Sequence, residues 1–138
     1  MALVGMRNQE LGIMEVKLKH LEPKSDKRGW LSNLPEQVVT QTKHAFIATI
    51  LPGHIRGSHY NKQKTEWIIP IAGKCWLKLI DVASGAITET EIDASQPSVI
   101  TVPINVEVKV INNFPEPAAI LALFDTPFDP ENPDVWTL

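Results

Sequence analysis

Several features that would direct a sequence toward a particular protein class are scarce in this chain of 138 residues. A single cysteine, Cys75, permits no internal disulfide and suits a reducing compartment. No apolar run approaches the roughly 20 residues that span a bilayer, and no signal-peptide pattern is present. Lys and Arg number 13 against 16 Asp and Glu, so there is no broad basic field for nucleic acid. These absences predict a cytoplasmic protein without membrane or nucleic-acid partners.

The sequence also lacks the sustained 3.6-residue spacing of apolar residues that indicates long amphipathic helices. It has instead short segments in which apolar and polar residues alternate. Residues 106–110 alternate between valine and charged side chains, while residues 118–124 are continuously apolar. About nine such segments, separated by turns, predict a single all-β domain over residues 1–138, folded as an antiparallel barrel or sandwich. Residues 1–10 are expected to form a flexible or swapped arm, and the proline-rich residues 125–138 an extended tail.

The chemistry-bearing side chains concentrate between Pro52 and Gly73. We predict two strands joined by a polar turn over residues 61–64. Alternation places His59 and Asn61 on one face, and the turn brings Glu66 back toward them. Strict alternation would put Arg56 and His59 on opposite faces, whereas a bulge at Gly57 would bring both to the same face.

This stretch resembles the first cupin motif. Gly53 is followed by five residues, His59-x-Asn61, four residues, Glu66, six residues and Gly73, with Asn61 in place of the second histidine of the motif. The string from Arg56 to Tyr60 resembles the Arg-Gly-x-His segment of the nucleotide-sugar cupins. These include the deoxythymidine-diphosphate-linked 3,5-epimerases, the 3,4-ketoisomerases and the cupin domain of capsular polysaccharide reductases. The resemblance implies an RmlC-like cupin barrel, also described as a double-stranded β-helix or jelly roll.

Two further residues are expected to contact a substrate. Arg28, in the segment from Asp26 to Gly29, resembles the arginine of an Asp-x-Arg-Gly segment that shapes the pocket rim in nucleotide-sugar cupins. Alternatively, Arg28 forms only a surface salt bridge at a turn. Tyr60 is a second expected contact and a possible acid, although its parity points it away from His59 and favours a core or interface position.

A metal cofactor is not expected. Alignment to the second cupin motif fits Pro103 and Asn112, but the position of the remaining metal ligand is Val108. Together with Asn61, this leaves two of the four usual ligand positions without a metal-binding side chain, and a neutral amide is a poor substitute for imidazole. The alternative is a weak site held by His59 and Glu66.

These residues predict a division of labour in a metal-free enzyme. His59 acts as general base, Glu66 or Asn61 orients the imidazole or the sugar, and Arg56 binds diphosphate. The resemblance implies an epimerase or keto-isomerase that moves a proton beside the ketone of a nucleotide-linked 4-keto-6-deoxy sugar, in polysaccharide or deoxysugar biosynthesis, as a homodimer.

Two other classes of function stay open. One is a non-catalytic module that binds a sugar nucleotide or another small carbohydrate, with His59 and Glu66 as a satisfied polar pair. The other is a structural or regulatory partner protein, in which Arg56 forms only a surface ion pair. Fold alone does not decide between them, because cupin barrels host enzymes, storage proteins and sensors.

Overall fold

The computed structural model describes residues 8–11 and 16–138, which form twelve strands and one short helix. In chain order these elements are β1 (Asn8–Leu11), β2 (Val16–His20), β3 (Lys24–Asp26), β4 (Gly29–Leu31), α1 (Glu36–Gln41), β5 (His44–Ile50), β6 (Ile55–His59), β7 (Glu66–Ala72), β8 (Lys74–Asp81), β9 (Ile87–Asp93), β10 (Ser98–Val102), β11 (Val106–Ile111) and β12 (Ala118–Phe124).

The strands assemble into two main antiparallel sheets. The large sheet has six strands in the order β1-β2-β10-β7-β12-β5, and the small sheet has four in the order β6-β11-β8-β9. Strands β3 and β4 form a separate hairpin. The predicted all-β fold with antiparallel sheets is confirmed, and the predicted strands at residues 106–110 and 118–124 are β11 and β12.

One hydrophobic core joins the inner faces of the two sheets. Ile68 and Ile100 from the large sheet pack in the same buried cluster as Leu77, Leu79 and Val108 from the small sheet. Fully burying an aliphatic side chain contributes about 1.5–3 kcal/mol, so this shared cluster is the main force that closes the sandwich. Side chains that point inward beyond the cluster therefore line the ends of the barrel.

Helix α1 covers part of the outer face of the large sheet. Its one buried residue, Val38, packs with Trp67, Ile69, Val99 and Leu123. The sequence analysis missed this helix because its 6 residues are fewer than two full turns, too few for a hydrophobic period to appear.

Two expectations about chain organisation change in the structure. The strands before and after residues 61–64 do not form a hairpin, because β6 pairs with β11 whereas β7 pairs with β10 and β12. The intervening loop carries the chain from the small sheet to the large one. Of the predicted arm at residues 1–10, residues 1–7 lie outside the described residues, and residues 8–10 belong to β1, which pairs with β2.

Candidate active site

Of the two alternatives that the sequence leaves open for β6, strict alternation or a bulge at Gly57, the structure has the bulge. Val108 lies opposite His59 while the next residue of β11, Lys109, lies opposite Gly57, so Ser58 is the extra residue. Gly57 and Ser58 have φ angles of 86° and 64°, and glycine reaches the left-handed region without steric cost. The bulge therefore reverses the alternation of side chains between Arg56 and His59.

The consequence is that Arg56 and His59 share the inner face of the small sheet. Each lies directly opposite an inward-pointing core valine, Val110 for Arg56 and Val108 for His59, and directly paired residues point to the same face of a sheet. The imidazole of His59 is half-buried and forms no hydrogen bond or ion pair with a residue that the structure describes.

Glu66 points into the barrel from the large sheet. It begins β7, after the loop of residues 60–65 that follows β6, and lies opposite Phe124 of β12. Ile68, two residues further along the same strand, belongs to the core cluster, so alternation turns Glu66 inward as well. His59 and Glu66 thus both face inward at the end of the barrel that bears the loop of residues 60–65. No hydrogen bond joins the two side chains.

Burial keeps the carboxyl group of Glu66 close to its protonation midpoint at neutral pH. Glu66 is only 5% exposed. Removal from water raises its pKa from 4.5 to about 7, and the charge of Lys64 opposes part of that rise. A group with a pKa near the working pH can both take and release a proton, which is the property that general acid–base catalysis requires.

This burial predicts a pH-dependent stability that Glu66→Gln removes. The folded state favours the protonated carboxyl group, so its contribution is fully present below pH 4.5 and is lost as pH rises through about 7. Relative to Glu66→Gln, the wild type should lose about 3 kcal/mol of unfolding free energy across that window. Urea unfolding from pH 4 to 8.5 measures the difference. Glu131→Gln, at an exposed position, is the control, and a stability difference independent of pH would contradict the assignment.

Asn61 fastens the tail of the chain. Its Nδ2 donates to the carbonyl oxygen of Asp134 at 2.7 Å. Lys64 is only 7% exposed, and its Nζ donates to the carbonyl oxygen of Pro133 at 2.9 Å and lies 4.8 Å from the centroid of the Phe124 ring. The substrate-binding role predicted for Asn61 stays a prediction, and its amide nitrogen is already engaged with the tail.

Asp134 is the centre of this tail clasp, which we define as residues 60–64 together with 133–136. Its carboxylate accepts the backbone N–H groups of Lys62 and Gln63 at 2.9 and 2.8 Å, and the Trp136 indole N–H at 2.9 Å. Burial raises the pKa of Asp134, but these donors and the Lys64 charge outweigh it and hold the pKa below 3.8. The carboxylate therefore stays charged at neutral pH and keeps the tail beside the loop that connects His59 to Glu66.

Removing the Asp134 carboxylate should release the tail. Asp134→Ala deletes three charge-assisted hydrogen bonds, and we expect the tail to dock about 1–3 kcal/mol less tightly. The backbone amides of Tyr60 and Trp136 bond each other's carbonyl groups, so their hydrogen-exchange protection reports docking. Asp129→Ala is the matched control, because that carboxylate bonds only Glu131 within the tail. Equal protection in the two variants would show that the clasp does not hold the tail.

Arg56 lies at the seam where the edge strands of the two sheets meet. Its Nε donates to the carbonyl oxygen of Thr49 in β5 at 2.5 Å. The side chain lines an open cleft of about 320 Å³ together with Leu51 and His54. The two terminal nitrogens of the guanidinium form no hydrogen bond or ion pair to the described part of the chain, so they can bind an anion.

The other two predicted substrate contacts lie elsewhere. Arg28 is 85% exposed and forms a bidentate ion pair with Asp26 on the β3–β4 hairpin, which is the alternative that the sequence analysis left open. Tyr60 is half-buried and pairs with Trp136 through its backbone, within the tail clasp. Their predicted contacts with substrate stay predictions.

The residues at the site do not fit a divalent transition metal. Val108 is buried in the core, the Asn61 amide is bonded to the tail, and only His59 and Glu66 remain of the four motif positions. Within residues 8–11 and 16–138, no group of three His, Cys, Asp or Glu side chains converges. No step of the mechanism below involves a metal.

Sequence reasoning missed one wall of the site. His44 and Glu66 both lie directly opposite Phe124, so the three side chains form one row across the inner face of the large sheet. The sequence analysis assigned no role to His44 and placed Lys64 only in the predicted turn over residues 61–64. A contact between strands that are distant in the chain leaves no local signal for either residue.

Comparisons with known proteins agree with this architecture. The sequence profile of the family described as the polysaccharide biosynthesis C-terminal domain matches residues 24–136. No curated protein matches the sequence. No helix among the described residues is long and apolar enough to cross a membrane.

Three solved structures are similar to this one. The capsular polysaccharide assembling protein CapF from Staphylococcus aureus is 20% identical with a TM-score of 0.67, over 87% of this chain and 34% of CapF. NovW, a 4-keto-6-deoxy sugar epimerase from Streptomyces spheroides, is 16% identical with a TM-score of 0.78, over 91% and 70%. RmlC from Legionella pneumophila, in complex with dTDP-4-keto-L-rhamnose, is 12% identical with a TM-score of 0.77, over 92% and 74%. The chain thus spans about a third of CapF, and these likenesses establish an RmlC-like cupin fold.

Proposed function

The chain belongs to the polysaccharide biosynthesis C-terminal domain family, and from that premise we propose that it epimerises or isomerises a nucleotide-linked 4-keto-6-deoxy sugar. The observation that carries the proposal is the bulge in β6, which gives Arg56 and His59 a common inward face, with His59 toward the barrel end that also holds Glu66. Arg56 lies further along β6, beside Thr49 near the other end of β5. A candidate base and a buried carboxyl group then face one end of the barrel, and an anion-binding group lies along the same face of β6. Structural neighbours that act on or bind such sugars support the substrate class.

In the proposed reaction, His59 removes the proton from the carbon beside the ketone. The electrons of the broken C–H bond move onto the ketone oxygen and give an enolate. An imidazole suits this step because it gains and loses a proton near neutral pH. The buried Glu66, whose carboxyl group also exchanges protons near pH 7, lies where it can hydrogen-bond the sugar or stabilise the imidazolium that forms.

Arg56 binds the diphosphate in this proposal. A planar guanidinium matches phosphate oxygens better than an ammonium group does, and the bond from Nε to the Thr49 carbonyl fixes the orientation of the fork. Anchoring the diphosphate at the seam would direct the sugar between the two sheets.

The test of the function is deuterium exchange. The wild-type protein is incubated with dTDP-4-keto-6-deoxyglucose in heavy water, and NMR follows deuterium at the sugar carbons and the appearance of a new isomer. We expect both. Saturable binding without exchange would instead identify a non-catalytic carbohydrate-binding module, and the absence of both would leave a structural or regulatory role.

Arg56→Ala should weaken binding with little effect on the chemical step. Loss of a charge-assisted contact to phosphate is expected to cost about 1.5–3 kcal/mol of binding free energy, measured by calorimetry with dTDP. Lys27→Ala removes an equal charge from an exposed position on the β3–β4 hairpin and is the control. If both variants bind dTDP equally, Arg56 does not contact the diphosphate.

We further propose that the enzyme is cytoplasmic and works as a homodimer. Strands β5 and β9 end their sheets and offer unpaired backbone groups on one side, where a strand of a second copy could add. Sedimentation equilibrium measures the mass of the assembly in solution.

A further inference from the structure

The chemistry proposed above uses one imidazole, and the described inner faces carry another at the same end of the barrel. His44 begins β5 and lies directly opposite Phe124, which itself lies directly opposite Glu66. His44 and Glu66 are therefore two strand spacings apart, roughly 10 Å, on the inner face of the large sheet. His59 lies on the inner face of the small sheet, so the two histidines belong to different sheets.

Two phenylalanines hold the His44 ring. It is stacked on Phe124 with ring centroids 5.7 Å apart and an interplanar angle of 26°, and on Phe128 at 5.4 Å and 29°. Phe46 contacts it at a steeper angle of 53°. Stacked rings at such separations attract each other and fix the plane of the imidazole. The faces of the ring are occupied, and its nitrogen-bearing edge is the part left for other partners.

The His44 nitrogens have no such partner within the described residues, since neither forms a hydrogen bond or an ion pair there. His44 is half-buried, and Phe128 beside it is 53% exposed, so the group lies at the barrel mouth where a ligand can enter. Among the described residues, the His44 nitrogens are not buried atoms without a partner, so the polar edge is held in a fixed plane where water or a ligand can reach it.

Epimerisation needs a second proton transfer. One group takes the proton from carbon, and a second must deliver a proton to the same carbon from another direction if the configuration of that carbon is to change. Tyr60, the acid considered from the sequence, is fixed through its backbone to Trp136, and alternation after His59 turns its side chain away from the inner face. We propose, on the basis of the function proposed above, that His44 is this second group and donates the proton that the product carbon receives.

The proton balance closes without any further reagent. His59 takes the proton from carbon and becomes an imidazolium, while the electron pair of the C–H bond enters the enolate. The His44 imidazolium then gives its proton to the enolate carbon that faces its wall, a new C–H bond forms, and His44 ends neutral. Solvent removes the proton from His59 and restores the one on His44.

The experiment separates the two transfers by isotope. Wild type, His44→Phe, His44→Gln and His59→Asn are each incubated with dTDP-4-keto-6-deoxyglucose in heavy water. Deuterium in the recovered substrate shows that His59 has removed a proton and that a proton has been returned to the same face. Formation of the new isomer shows that the second proton transfer has taken place. His44→Phe keeps an aromatic ring between Phe124 and Phe128 but removes the imidazole nitrogens. His44→Gln removes the imidazole and keeps a polar side chain. If one of the two variants fails to fold, the other still tests the role of His44.

We expect both His44 variants to exchange deuterium within a few-fold of wild type while forming product about 10²-fold more slowly or less. His59→Asn should lose both signals. His20→Gln is the matched control. His20 ends β2 and lies opposite Ser98, away from the row that His44, Phe124 and Glu66 form across the large sheet, so this variant should behave as wild type.

Product formation at the wild-type rate in both His44 variants would overturn the proposal. So would equal loss of exchange and product, since that pattern indicates a structural effect or a single catalytic unit. If the wild type itself exchanges no deuterium, the proposed function fails and the role of His44 fails with it. If the wild type exchanges deuterium but the His44 variants give either of these two overturning results, only the role of His44 is rejected and the proposed function stands.

Discussion

Replacing His59 by asparagine is expected to lower turnover on a 4-keto-6-deoxy sugar nucleotide by about 10²- to 10⁴-fold, with binding unchanged within a few-fold. General-base catalysis by a positioned side chain contributes a rate factor of this size. Asparagine retains polarity and approximate size but cannot take a proton. Because His59 forms no hydrogen bond to a described residue, its replacement should leave no buried partner unsatisfied and should preserve the fold.

The measurement is the rate of deuterium exchange and of product formation under saturating substrate, with affinity determined separately by calorimetry. His20→Asn provides the control for histidine replacement on the inner face of the barrel. Full exchange activity in His59→Asn would show that another group is the base. A loss of binding equal to the loss of rate would indicate that His59 holds substrate and does not react with it.

The second large effect is expected at the bulge itself. A Cβ added at Gly57 would lie 2.6 Å from the carbonyl oxygen of Val108, and the backbone there has a φ of +86°. An alanine must therefore adopt a left-handed conformation, at about 1–2 kcal/mol, and also displace a backbone atom of the paired strand, at about 1–3 kcal/mol. We expect Gly57→Ala to reduce the free energy of unfolding by about 2–5 kcal/mol.

Gly85→Ala separates these two contributions. Gly85 has a φ of +75° but nothing within 4 Å of its added Cβ, so this variant carries the conformational cost alone. Urea unfolding of both variants gives the difference due to the close approach of β6 and β11. If Gly57→Ala is no less stable than Gly85→Ala, the two strands can separate without cost. Where Gly57→Ala still folds, it should also lose activity, because the bulge gives Arg56 and His59 their common face.

The ionisable groups at this end of the barrel and in the tail are held in different ways. Glu66 is tuned by burial against the partial opposition of Lys64, and Asp134 is kept ionised by the donors that surround it. His44 is fixed by ring stacking. The tail clasp connects these environments, since Lys64 both bonds the Pro133 carbonyl and lies over Phe124. Loosening the tail should therefore alter the acid–base groups as well as the stability of the loop.

Local features of this protein could be inferred from the sequence alone. Alternation of apolar and polar residues predicted the strands, since the side-chain period of a strand involves only near neighbours. A bulge at Gly57 could be considered from the sequence because glycine tolerates the conformation that a bulge requires, but strict alternation stayed open until the pairing of β6 with β11 was known. His59, Glu66 and Arg56 were identified from residue chemistry and spacing, and the structure has all three pointing inward.

Only the tertiary structure decided which strands pair and what the polar side chains contact. Strands β6 and β7 are adjacent in sequence yet belong to different sheets, because each gains its hydrogen bonds from a distant strand. Asn61 meets Asp134 across a separation of 73 residues, and His44 shares a row with Glu66 only through Phe124. Such contacts depend on long-range pairing and on burial of the whole core, neither of which is encoded in the pattern of any one segment.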